Sequence, residues 1–583
     1  MARRLLCLVT ALLVMGAVPH ASASARGVTA GPPMNYRNIA GLSPPKYGQT
    51  IHTALRLRAI DGIELYVEVT RPAAPGRYPV IAEISPYHGT VYNRDGFRML
   101  PSEGGLVKYF VPRGYAVVMM DLRGTGKSQG CLDELGPNDR ADIKRVVEWA
   151  AAQTWSNGRV ATIGHSYPGG TSVAALSQRP KGLVTAVVSA GLGSMYDHQF
   201  QGGVPIDGTW LGTIYAYNEL AIVRHLPPGI DSPLENERTG DSFGENTQYA
   251  GCGTLSSSAT AGHAELTGQY VEWDRLRDFR AAATASPVPV FAIHGVNDDA
   301  ARVAALNWFI ERNGQVRRNG KPVVDKLWLG QWTHGVGCCP NQRGEQWVAA
   351  LHAWFDKHLQ RRNVPTGPPV EVFLADGAQQ DAVPAGRDEI FTERRFPGSP
   401  RMLALHTSAS GGLSTRPGRP GSVSYAADPF GWFDERFTGA AEFKTPPLAS
   451  DVLLVGVPEV VIEASETTPM LHFIANVYEE DEDGEWRRLS TCTINSALRY
   501  SLDSVAPALA GQRYTLDPPC WAMAQHVRKG HRLVLHIAAS DPDKFPFFAI
   551  DPQVVVFTGQ GGTTLRVPVI DSPVLYEDDL PLK

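Results

Sequence analysis

Charge is scarce in this 583-residue chain. Asp, Glu, Lys and Arg make up 19% of it, and 54 basic against 59 acidic residues leave a formal net charge of −5. There is no basic surplus to neutralise a phosphate backbone, which argues against nucleic acid as a partner. With 43% apolar residues, the composition also excludes an acidic disordered chain. Cysteine is sparse, seven in all, and none has metal-knuckle spacing. No metal or cofactor is expected. Beyond the first twenty residues no apolar run approaches the roughly 20 residues that a membrane-spanning helix needs. Glycine (58) and proline (44) stay below low-complexity levels. A chain this long exceeds the usual single-core limit of about 250–300 residues, so two or three domains are expected.

The N-terminus carries Arg3 and Arg4, an apolar run from Leu5 to Val18, and the small residues Ala21 to Ala25. That order of basic, apolar and small residues reads as a secretory leader, with cleavage near Ala23 or Ala25. The arginine pair hints at a twin-arginine route. The expected mature protein is secreted and has no membrane span. Without Cys7, six cysteines remain, an even number that suits disulfides in an exported chain. The expected pairs are Cys492 with Cys520, and Cys252 with Cys338 or Cys339.

Short, continuously apolar, β-branched runs alternate with helical patterns from about residue 50 to 200. The expected strands are Tyr78–Ile84, Tyr115–Asp121, Val160–His165 and Leu183–Ser189, with an amphipathic helix over Asp139–Gln153. This alternation implies an α/β fold with a mostly parallel sheet. It stops over 203–286, which reads as an insertion. It resumes with a strand at Val288–His294, a helix Ala300–Arg312, a strand near Lys326–Leu329 and a helix from Gly344 to Gln360. Beyond the Pro365–Pro369 link, short alternating strands beginning at Val370 suggest an all-β sandwich or jelly roll. Asp483-Gly484 marks a hairpin there.

Gly164-His165-Ser166-Tyr167-Pro168-Gly169 follows a buried-type strand and precedes a helix over Thr171–Gln178, the setting of a nucleophile elbow. A serine hydroxyl needs both exposure and a base to become reactive. Asp298 and His334 each lie just past a strand, at the carboxyl edge where such sheets place their sites, and in the chain order serine, acid, histidine. Asp299 competes with Asp298 for the acid's place. The backbone N–H of Tyr167 and the hydroxyl of Tyr87 are candidate donors to an oxyanion. Two other motifs weigh less. Asp121 to Ser128 ends like a phosphate-binding loop, but Asp121 stands where its first glycine should be. The acidic run Glu479–Asp483 suits a solvated hairpin tip better than a calcium site.

With these motifs assembled, the chain resembles the cocaine-esterase-like serine hydrolases and the X-Pro dipeptidyl-peptidases of the S15 family. The resemblance rests on Asp121-x-Arg123-Gly124-x-Gly126-x-Ser128-x-Gly130, on Trp155 to Val160, on Gly164-x-Ser166-Tyr167-x-Gly169, on Gly295-x-x-Asp298, and on Gly330-x-Trp332-x-His334. Val527 to Leu535 and Ser540-Asp541 extend it into the C-terminal part. Pro168 and Asn297 depart from the pattern. The resemblance implies an α/β-hydrolase domain with an inserted helical cap, plus a C-terminal jelly roll. The expected division is leader 1–25, hydrolase 40–202 and 287–366, cap 203–286, and β domain 367–583. It also implies Ser166 as nucleophile, Asp298 and His334 as its partners, and Tyr87 with Tyr167 as oxyanion donors. The expected substrate is a small ester or amide, or a short Xaa-Pro peptide. For the peptide, Asp197, Asp207 or a cap glutamate would hold the amine. The alternative is a secreted, non-catalytic protein whose β domain binds glycan, since fold does not settle function.

Overall fold

The computed structural model describes residues 30–88, 96, 99–100, 103–206, 267–298, 300–312, 317–318, 320–334, 344–374, 389–428, 439–544, 549 and 551–577. Its first body is an 11-stranded sheet. In chain order the strands are β1 (Thr50–Arg58), β2 (Glu64–Pro72), β3 (Tyr78–Ser85), β4 (Ala116–Asp121), β5 (Ser156–His165), β6 (Leu183–Ser189), β7 (Val290–Gly295), β8 (Lys326–Gly330), β9 (Val370–Leu374) and β10 (Glu389–Glu393). They lie in the order β1-β2-β4-β3-β5-β6-β7-β8-β9-β10, and the short strand Tyr576–Glu577 completes the edge. From β4 to β9 every neighbour is parallel. These strands are buried on both faces, which is why they read as unbroken apolar runs.

Helices cover both faces. On one side Pro137–Ala152, Tyr167–Gln178 and Arg302–Arg312 bury Ile143, Val146, Val173, Leu176 and Trp308 against the sheet. On the other, Gly344–His358 brings Trp347, Trp354 and Phe355 against Trp328, Phe291 and Tyr115. Three indole N–H groups of this core have partners. Trp328 donates to Glu371, Trp347 to the Met99 carbonyl and Trp354 to Thr185 Oγ1, at 2.7–2.8 Å. Each apolar side chain fully buried here contributes roughly 1.5–3 kcal/mol. Among the described residues no helix is long and apolar enough to cross a membrane.

Strand placements differ from the sequence reading at several points. β1, β2 and β10 went unpredicted; β1 alternates in sequence (Ile51, Leu55, Leu57) but is exposed along almost its whole length. Val370–Leu374, expected to open the β domain, instead pairs in parallel with β8 and extends the parallel sheet. Its Glu371 looked like the polar half of an alternating strand. In fact it is buried, accepting from Tyr36, Trp328 and the Lys326 ammonium.

The second body is all β. A four-stranded sheet in the order Ala440–Lys444, Arg532–Ala538, His472–Glu480, Trp486–Asn495 faces a larger sheet built on Arg401–Thr407, Glu459–Glu466, Gln553–Thr558 and Thr564–Ile570. Between them lies a separate apolar core that includes Phe443, Phe473, Leu535 and Val556. The expected hairpin at Asp483-Gly484 is present, with Asp481 Oδ1 accepting from the Asp483 and Glu485 amides. Cys492 and Cys520 form a disulfide, as expected. Cys131 is disulfide-bonded as well. Cys252, Cys338, Cys339, the leader and residues 207–266 of the expected cap lie outside the described residues.

Candidate active site

At the end of β5 the chain turns sharply into the helix Tyr167–Gln178, with Ser166 at φ 64°, ψ −127°. A positive φ at a non-glycine residue is strained, and here it projects the hydroxyl above the sheet edge. The Ser166 amide is held by the Ser189 carbonyl of β6 at 2.9 Å. A Cβ on Gly169 would sit 2.5 Å from that same carbonyl, so only glycine lets the helix descend this close to β6. Pro168 occupies the first helical turn, where an N–H has no partner within the helix, and therefore costs nothing.

His334 Nε2 lies 2.8 Å from Ser166 Oγ, and His334 Nδ1 lies 3.0 Å from both oxygens of Asp298. A carboxylate only accepts, so the ring carries its proton on Nδ1 and offers the Nε2 lone pair to the serine. Asp298 is buried, and its Oδ1 also accepts from the amides of Ala300 and Ala301 at 3.0 and 2.7 Å. Burial alone would raise its pKa. The nearby His334 and His294 rings and the Ala301 amide outweigh that and hold it well below the usual carboxylate range. Gly295 and Gly330 pair across β7 and β8, and Trp332 folds over both. A Cβ on Gly295 would meet the Trp332 carbonyl at 2.1 Å. That close approach lets the loop after β8 bring His334 onto the acid. Asp299 lies outside the described residues.

The phenol of Tyr167 points away from the serine, donating to Asp139 at 3.1 Å and accepting from the Leu135 amide at 2.9 Å. Its backbone N–H lies at the start of the elbow helix, directly after Ser166. The Tyr87 ring packs edge-on to the Tyr167 ring, with centroids 6.4 Å apart. Beside Tyr87, His88 is sealed between Glu83 and Asp121 at 3.7 and 3.6 Å. Burial alone would lower its pKa; the two carboxylates overcome this and raise it to about 9. The phosphate-loop look-alike is accounted for here. Asp121 Oδ2 accepts from the Lys127 amide and fills the space beside Gly126.

Sequence reasoning missed the histidines around the pair. His165 Nδ1 lies 2.9 Å from Ser189 Oγ, and its Nε2 lies 3.2 Å from the His334 carbonyl. His294 Nδ1 lies 3.9 Å from Asp298. His198, whose pKa falls to about 4 mainly through burial, with His334 also lowering it, stays neutral near the same acid. No motif flags such residues; only the strand-end positions of His165 and His294 could have, and His198 lies in the short helix Met195–Gln199. Of the amine-anchor candidates, Asp197 is bound by Arg280 at 2.6 Å. Asp207 lies outside the described residues.

Residues 61–336 match the profile described as X-Pro dipeptidyl-peptidase (S15 family). Residues 363–564 match that of the X-Pro dipeptidyl-peptidase C-terminal non-catalytic domain. A Streptomyces avermitilis protein whose name carries a provisional Xaa-Pro dipeptidyl-peptidase assignment is 28% identical, over 88% of this chain and 81% of its own length. The cocaine esterase of a Rhodococcus species is 24% identical, over 83% of this chain and 90% of its own. A Staphylococcus aureus hydrolase of the CocE/NonD family superposes with a TM-score of 0.70 at 17% identity, covering 91% of this chain and 99% of that one. The last likeness shows the fold.

Proposed function

The chain belongs to the S15 family of serine hydrolases, and we propose that it cleaves an ester or amide bond through an acyl-enzyme on Ser166. The observation that carries this reading is the continuous hydrogen-bonded path from Ser166 Oγ through the His334 ring to Asp298. As Ser166 Oγ bonds to the substrate carbonyl carbon, His334 Nε2 takes the hydroxyl proton. Asp298 holds the ring in place and stabilises the cation that forms. The Tyr167 N–H and the Tyr87 hydroxyl receive the developing oxyanion. Collapse of the tetrahedral adduct expels the alcohol or amine, which takes its proton from His334. Water then releases the acid by the same steps in reverse order.

Among the described residues, Asp197 is the amine-anchor candidate that can be weighed. A dipeptide with a free amine needs a carboxylate to meet it, and Asp197 is occupied. Burial raises its pKa to about 6, Arg280 opposes that shift, and a substrate ammonium would have to displace the guanidinium. Turnover of short acyl esters, glutaryl amides and Xaa-Pro nitroanilides, assayed side by side, ranks the three. Ser166→Ala should abolish turnover of all of them, together with fluorophosphonate labelling, while the melting temperature holds. Unchanged hydrolysis in that variant overturns the reading.

Export completes the proposal. The Arg3–Ala25 pattern and the disulfides at Cys492–Cys520 and Cys131 suit an oxidising compartment. N-terminal sequencing of protein from the culture medium should begin just after Ala23 or Ala25.

A further inference from the structure

We propose that His165 is a positioning residue for the base: it holds the backbone of His334 so that the imidazole stays aimed at Ser166. This rests on the reading of Ser166 and His334 given above. A backbone carbonyl only accepts, so the contact at 3.2 Å requires His165 to carry its proton on Nε2. In the neutral ring Nδ1 then holds a lone pair, and the Ser189 hydroxyl donates to it at 2.9 Å. Ser189 thus satisfies the lone pair of the tautomer that grips the His334 carbonyl.

The placement gives that grip its consequence. His165 is the last residue of β5 and Ser189 the last of β6, whereas His334 lies four residues beyond β8. One imidazole therefore ties a loop to two rigid strand ends. The two rings also lie against each other, with centroids 4.9 Å apart and planes tilted by 35°. Fixing the carbonyl opposes backbone movements that would carry the base away from the hydroxyl. His165 itself is only 6% exposed, so it is placed to act through His334 rather than on substrate. A base misplaced by about 1 Å costs on the order of 100-fold in rate.

Three substitutions separate the two bonds. His165→Phe keeps the ring contact and loses both. In His165→Gln the side-chain amide reaches as far as an imidazole Nε2 and can still donate to the His334 carbonyl. In His165→Asn the amide reaches only the Nδ1 position, toward Ser189. The full chain is assayed for its fluorophosphonate labelling rate, for kcat and KM on p-nitrophenyl acetate, and for its melting temperature. His165→Phe and His165→Asn should lower labelling and kcat by roughly 10- to 100-fold, with KM within about twofold. His165→Gln should recover to within about threefold of the wild type. Wild-type labelling by His165→Phe, a Gln variant as slow as Phe, an Asn variant as fast as Gln, or a change confined to KM each overturns the proposal. If His165→Phe does not fold, the Gln and Asn contrast decides. Labelling of Ser166→Ala at the wild-type rate sinks the underlying reading. Labelling that needs Ser166 but ignores every His165 variant sinks this inference alone.

Discussion

Asp298 serves two structures at once, and replacing it separates them. Its Oδ1 caps the turn through the Ala300 and Ala301 amides, while the carboxylate as a whole faces His334 Nδ1. In Asp298→Asn the amide oxygen keeps the two backbone donors, so the amide NH2 points at Nδ1. The ring must then move its proton to Nε2, the side that should accept from Ser166. We expect kcat to fall roughly 10⁴-fold with little change in melting temperature. A loss below tenfold would remove Asp298 from the mechanism. The three residues of this path were legible in the sequence because each follows a strand that is easily read. His165, Ser189 and His88 were not, because a lone histidine or serine at a strand end has no spacing to betray it. His88 has its own signature. Its pKa is raised from 6.5 to about 9, so its ion pairing stabilises the fold fully below about pH 6.5 and is lost as pH rises through 9. Denaturant titrations should show wild-type stability falling by on the order of 3 kcal/mol across that window. In His88→Leu that slope should vanish, and the starting stability should drop by about 3–5 kcal/mol, because Glu83 and Asp121 stay buried without a cation. An unchanged slope would show that His88 is uncharged in the folded chain.

At the scale of elements, the elbow helix and β6 meet through glycines on both sides. A Cβ on Gly169 would lie 2.5 Å from the Ser189 carbonyl and 2.8 Å from Gly191 Cα. That carbonyl also holds the Ser166 amide. Overpacking here therefore strikes the fold and the nucleophile together. Gly169→Ala should cost about 1–3 kcal/mol and slow fluorophosphonate labelling more than tenfold. A variant that is destabilised but labels normally would uncouple helix seating from serine placement. This geometry also explains why the second glycine falls one place later than in G-x-S-x-G: position 169, not 168, faces β6. The buried parallel strands β3 to β8 were readable because being covered on both faces leaves an unbroken apolar run. β9 was not assigned correctly, because its one charged residue finds an ammonium, an indole and a phenol inside the sheet. No local pattern announces partners that distant.

Across the whole molecule, the two bodies are joined at the mouth of the expected cap. Before residue 207 the chain forms the hairpin Phe200–Pro205, and this hairpin lies on the β domain. The Gln201 amide donates to the carbonyls of Thr491 at 2.9 Å and Pro519 at 2.7 Å, which adjoin the two disulfide cysteines. Thr493 Oγ1 donates back to the Gln201 carbonyl at 2.7 Å, and the Asn495 amide donates to the Gly202 carbonyl at 2.8 Å. After residue 266 the chain returns to the same place. Asn495 Nδ2 donates to the Thr267 carbonyl at 2.8 Å, and the Tyr270 amide donates to the Leu502 carbonyl at 2.8 Å. Both ends of the 207–266 segment are thus fastened to the Cys492 strand or its neighbours. Cys492 and Cys520 are 28 residues apart in sequence, and removing a cross-link of that span should cost about 3–4 kcal/mol. The functional effect should be selective. The triad stands on the parallel sheet, whereas the segment's ends stand on the strands that the disulfide holds together. The Cys492→Ser, Cys520→Ser double variant should therefore melt earlier and show a raised KM for bulky esters. Its rate of labelling by a small fluorophosphonate should stay within about threefold of the wild type. If labelling falls in step with the rise in KM, the β domain supports the catalytic groups themselves. If KM does not move, the hairpin's seat does not depend on the disulfide.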